Sequence, residues 1–161
     1  MLQFYALPGI APACLRLQDV CGVDIPLFLA TLYAAASGVD LNGDRIRKVD
    51  QNCAKWRSTV VSPLRSIRIE MKSSPWMVLD PRVSSLREKI KSLELAVERI
   101  EVDFVEEMLA QLPLNQTPST FDDTRNAARL FLEYLSTAAP SEGNDDAVLL
   151  ADAVAEFVVD R

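Results

Sequence analysis

Seven apolar residues, Val83, Leu86, Ile90, Leu93, Val97, Ile100 and Phe104, recur at alternating spacings of three and four. This is the a/d stripe of a heptad repeat, with β-branched residues at most a positions and Leu or Ile at d. Asp80-Pro81 supplies a helix start ahead of the stripe and Pro113 a stop behind it, which predicts one helix over about residues 81–112. At 1.5 Å per residue that helix is about 48 Å long, against about 30 Å for the diameter of a small domain. A stripe on so long a helix outruns the cover a compact domain offers and points to a partner.

The rest of the chain also reads as helix. Ile10, Cys14, Leu17 and Cys21 share one face of a segment that Gly22 ends. Asp24 is placed to cap a helix with Pro26 in its first turn, running to near Gly38. That segment is apolar all round, the mark of a central buried helix. A third helix begins near Asn42 or Asp44 and carries Ile46, Val49, Cys53, Trp56 and Val60. Pro63 is expected to break it, with a new helix from Ser62 turning Leu64, Ile67 and Met71 inward. Ser73 to Leu79 reads as a linker. Beyond the long helix, periodic segments over about 120–138 and from Asn144 onward follow polar turns at 115–119 and 140–143. The prediction is an all-α bundle of six or seven helices with one long helix. It forms a single domain over 1–161, with N-terminal helices in 1–74 and the long helix plus two more in 80–161.

Charge is distributed unevenly. Residues 45–91 hold 12 Lys and Arg against 4 Asp and Glu, whereas residues 92–161 hold 4 against 15. The change of sign falls inside the long helix: Arg82, Arg87, Lys89 and Lys91 lead, and Glu94, Glu98, Glu101, Asp103, Glu106 and Glu107 follow. This order opposes the helix dipole, which favours acids at the N-terminus and bases at the C-terminus. An antiparallel second copy would set each basic end against an acidic one; a parallel copy would pair Lys89 with Glu94 but oppose Arg82 to Arg87. Two readings stay open. Either the stripe packs on the two C-terminal helices of its own chain, or it forms a two-fold interface.

Several chemistries are excluded or unsupported. The chain has no histidine. Ser-His-Asp and Cys-His mechanisms, His-ligated haem and most catalytic zinc sites are therefore out of reach. No GxGxxG, P-loop or CxxC motif occurs. Asp40 to Asp44 resembles the start of a calcium loop, but its Gly comes too early and Gln51 stands at position 12. Three cysteines, Cys14, Cys21 and Cys53, read as reduced core thiols of a cytoplasmic protein. No catalytic, cofactor-binding or metal-ligating residue is assigned. No apolar run has the length of a membrane span, and a pI near 4.7 argues against nucleic acid, so neither partner is expected.

Two stretches carry a resemblance: Pro8-Gly9-Ile10, Ala13 to Asp19 and Gly22 to Leu29, then Trp56-Arg57, Val60-Val61, Pro63-Leu64-Arg65, Arg68 and Lys72. Together they resemble an uncharacterised bacterial family, domain of unknown function 2390, over about the first half of the chain. The family pattern favours a polar residue where Pro26 stands and Trp where Tyr33 stands. The resemblance implies a bacterial, cytoplasmic, all-helical protein and supplies no mechanism.

These observations favour a non-enzymatic interaction or scaffold protein that forms a homodimer through Val83, Leu86, Ile90, Leu93, Val97, Ile100 and Phe104. The alternative is a polar cluster of Gln18, Asp19, Arg57, Arg65 and Arg68 that binds a small molecule or anion. A structural account of the same residues has Asp19 and Asp24 pairing with arginines to lock the first two helices onto the next two.

Overall fold

The computed structural model describes residue 4, residues 6–135 and residues 143–159. Among these residues are seven helices of twelve residues or more, no strand, and one isolated β-bridge between Val39 and Leu114. In chain order they are α1 (Ile10–Cys21), α2 (Ile25–Ala36), α3 (Gly43–Trp56), a π-helical turn (Arg57–Val61), α4 (Ser62–Ser73), the four-residue α5 (Trp76–Leu79), α6 (Pro81–Ala110), α7 (Phe121–Leu135) and α8 (Asn144–Val159). The protein is an all-α helical bundle with one long helix, as the periodicity predicts.

The described chain forms two compact units. One combines Met1–Asp50 with Val105–Arg161, and the other is Gln51–Phe104. These units divide the chain within α3 and within α6.

In the first unit α2 lies against α7 and α8, and α1 against α8. Leu27, Phe28, Leu29 and Leu32 of α2 are fully buried, so the helix that is apolar all round is central. The Phe28 and Phe131 rings meet edge to face, 5.1 Å between centroids. Asp24 starts α2 as predicted: its Oδ1 accepts the Leu27 N–H at 2.9 Å. Gly22 ends α1 at φ 67°, a left-handed conformation that a Cβ would penalise. The bundle is closed by Ala127, Ala128 and Phe131 of α7 and by Ala147, Leu150, Ala151 and Val154 of α8, all buried.

The second unit is a hairpin. Its first arm is the last turn of α3, the π turn and α4, and its second is α6 as far as Phe104. Three expectations need correction here. Pro63 does not break the first arm, because helical geometry runs unbroken from Gly43 to Ser73. Pro63 has no N–H, and its ring crowds the carbonyl four residues back. The chain answers with the π turn, where the Ser62 N–H reaches the Arg57 carbonyl, five residues back. The wider turn holds an extra residue, so side chains beyond it are rotated by about 100°. Hence Val61 is buried while Val60 is only half-buried. For the same reason Ile67, expected inward, is 46% exposed, and Arg65 and Arg68 take the inward positions. The third correction concerns 73–79, where the expected linker contains the α5 turn.

The long helix ends at Ala110, two residues short of the predicted 112. The predicted end of the 120–138 helix and most of the 140–143 turn lie outside the described residues.

Because α7 and α8 supply much of the surface that buries α1 and α2, a fragment ending at residue 105 leaves the N-terminal helices without a core. We expect that fragment to give collapsed amide dispersion in a proton–nitrogen correlation spectrum for residues 1–50, where the full chain gives resolved peaks.

Candidate functional site

The side chains that join the hairpin arms are charged. Arg57 Nε donates to Glu101 Oε1 at 3.1 Å. Arg65 Nε donates to Glu94 Oε1 at 3.2 Å and its Nη2 to Glu98 Oε1 at 2.5 Å. Arg68 grips both oxygens of Glu94, Nη2 donating to Oε1 at 3.1 Å and Nε donating to Oε2. Trp56 Nε1 donates to the Val97 carbonyl at 3.2 Å, and Arg87 Nε to the Arg68 carbonyl at 3.3 Å. Glu94 and Glu101 are buried, at 4% and 2% exposure, which is rare for carboxylates unless they are paired.

Burial works against a charged Glu94, but hydrogen bonds from Arg68 and Arg65 outweigh it and hold the carboxyl below the ordinary range. Desolvation likewise opposes the Arg65 charge, and Glu98 and Glu94 overcome it, so its pKa is raised. A carboxyl whose pKa falls on folding contributes stability that is complete above its ordinary value, about 4.5, and is lost as the pH drops through the folded one.

This clasp decides where the apolar stripe points. Successive helical residues turn by 100°. Glu94 and Glu101 face the first arm, so Leu93 and Ile100, one residue earlier, point a quarter-turn aside. None of the seven stripe residues is buried. Leu86, Leu93, Ile100 and Phe104 are 52%, 55%, 54% and 46% exposed, and Val83, Ile90 and Val97 are half-buried along the edge of the clasp. The hairpin carries a row of ion pairs where its arms meet and an apolar line along one open side.

Of the predicted polar cluster, Arg57, Arg65 and Arg68 lie in the clasp. Gln18 and Asp19 belong to α1 in the other unit, the first half-buried and the second exposed. The carboxylates of the clasp, Glu94, Glu98 and Glu101, are not among the site residues that the sequence nominates. Their signal is two stripes of opposite charge, Arg57-Arg65-Arg68 and Glu94-Glu98-Glu101, on either side of a turn flanked by Pro75 and Pro81.

Other places offer less. A cleft of about 330 Å³ beside α2 is lined by Ala30, Tyr33, Ala34 and Leu109, with Glu106 its one charged group. Among the described residues no three His, Cys, Asp or Glu side chains come together as metal ligands. Burial lifts the Cys14 thiol to about 11, far from the reactive range. Among the described residues no single helix is long and apolar enough to cross a membrane.

Residues 1–105 match the family described as protein of unknown function DUF2390, and the chain belongs to it. The match ends where α6 leaves the hairpin unit, so it takes in the whole clasp and stripe. No curated protein and no solved structure matches the chain.

Replacing Glu94 by Gln leaves the half-buried Arg65 and Arg68 beside an uncharged amide, and we expect a loss of about 2 kcal/mol. The loss should register as faster hydrogen exchange of α4 amides, with the α2 amides keeping their protection. In the unaltered protein the same amides should lose protection as the pH falls below about 4.5. Exchange that is indifferent to both changes would show the clasp to be energetically idle.

Proposed function

We propose that this protein is a non-enzymatic interaction module that self-associates through the stripe Val83, Leu86, Ile90, Leu93, Val97, Ile100 and Phe104. The observation that carries this reading is the exposure of the d positions: Leu86, Leu93 and Ile100 are each more than half exposed on a helix whose buried side is already occupied. Single exposed leucines are ordinary on protein surfaces, but a continuous heptad line of them marks an interaction face. Across 86–104 the line is about 27 Å long, some two and a half heptads. An interface of that length suits reversible association of a cytoplasmic protein better than a permanent assembly.

An anion site built on Arg57, Arg65 and Arg68 has less behind it, since each guanidinium already faces a carboxylate at hydrogen-bond distance.

Light scattering coupled to size exclusion tests the reading at chain concentrations on the order of tens of micromolar. The unaltered chain is expected to run as a dimer. The double substitution Leu93→Asp, Ile100→Asp, at positions that support neither the clasp nor the core, is expected to give a folded monomer. A wild-type chain that stays monomeric throughout that range excludes the proposal.

A further inference from the structure

Resting on the self-association reading, we infer that the occupant of the stripe is a second copy running antiparallel, its two-fold axis crossing the stripe level with residue 95, with Lys89 of each copy facing Asp103 of the other.

The first argument is which sides of α6 are open. In a parallel pair, charges flanking the stripe meet as g to e. Here the e positions are Arg87, Glu94 and Glu101. Glu94 and Glu101 are held in the clasp, and Arg87 donates to the Arg68 carbonyl and to Glu88. The attraction between Lys89 and Glu94 that a parallel pair would need is therefore already used, and the repulsion between Arg82 and Arg87 remains. In an antiparallel pair g meets g. The g positions, Arg82, Lys89, Ala96 and Asp103, lie on the side of the stripe away from the clasp.

The second argument is register. Reversal about residue 95 places Leu86 on Phe104, Ile90 on Ile100 and Leu93 on Val97, so each of these six residues meets another apolar one. It also brings Lys89 to Asp103 twice, once on each side of the axis, with Ala96 near the axis, where a small side chain lets the helices approach. Moving the axis one half-heptad toward the N-terminus also matches apolar residues, but it replaces Lys89 with Arg82 opposite Asp103. Arg82 is already chelated by Asp80, with Nε donating at 2.9 and 3.0 Å and Nη2 at 2.5 Å. Lys89 is exposed, and the Asp103 side chain is 55% exposed despite its hydrogen bond from Arg99. The charge pairing favours the axis at 95.

A charge swap tests this. Lys89→Asp sets two acidic pairs across the axis and should weaken the dimer about tenfold, as should Asp103→Lys with two basic pairs. Combined in one chain, the two changes restore opposite charges and should return dimerisation to within about threefold of wild type. A second readout does not depend on affinity. In a Cys21→Ser background, Leu86→Cys chains mixed with Phe104→Cys chains and exposed to oxidised glutathione, which takes up the two electrons, should form a mixed disulfide, while neither variant alone should cross-link. A wild-type dimer in which the double swap brings no recovery and Leu86→Cys cross-links to itself overturns the antiparallel register while leaving self-association standing. A wild-type chain that is monomeric overturns both.

Discussion

Everything distinctive about the hairpin unit follows from Glu94. Its two oxygens are shared between Arg65 and Arg68 in a site only 4% exposed. Bringing these charges out of water is costly, and their mutual attraction offsets that cost only where geometry is good and each partner is in place. Such a contact adds little net stability compared with packed hydrocarbon, but it discriminates sharply between registers. Sliding one arm by a turn would strand a buried carboxylate. Glu98 and Glu101, at four and seven residues beyond Glu94, repeat the contact toward Arg65 and Arg57, so that one alignment of the arms pairs all three.

That choice of buried face explains the charge order along α6. Basic residues before acidic ones run against the helix dipole and call for an offset. Part of the offset is internal: Arg57, Arg65 and Arg68 of the first arm supply it, and Asp80 at the start of the helix accepts the Arg82 N–H at 2.9 Å. The acidic run therefore does not by itself require a second molecule. The apolar stripe is a separate matter. It is turned about 100° from the clasp and is left uncovered by the arm that meets the clasp.

Much of this was legible in the sequence. The limits of α1 and α2 are written in local chemistry: Asp24 can accept the orphan N–H of a first turn, and Gly22 can take the left-handed conformation that ends a helix. The stripe itself is a matter of spacing. What spacing cannot convey is which angular sector of a helix its own chain will occupy. An apolar line and a charged line stand side by side on α6, and the ordinary expectation gives the interior to the apolar one. The phase of α4 was hidden for a related reason. Pro63 signals an interruption but not its form, and a break and a π turn leave the following residues at different angles. The form decided whether Ile67 or Arg65 and Arg68 met α6. Without that phase the sequence does not tell Glu94, Glu98 and Glu101 apart from Asp19 and Asp24 as partners of the arginines.

A hairpin joined by charge differs physically from one joined by hydrocarbon. If the stripe were the internal contact, covering it with a partner would compete with the fold. With the clasp inside, the arms stay aligned whether or not the stripe is occupied, and occupation adds to the clasp instead of drawing on it. A partner seated along Leu86, Leu93 and Ile100 would exclude water from the edge formed by Val83, Ile90 and Val97. Lower polarity there strengthens attraction between the charges already paired beyond that edge. Binding and clasp are then thermodynamically linked: whatever loosens Glu94 should weaken association.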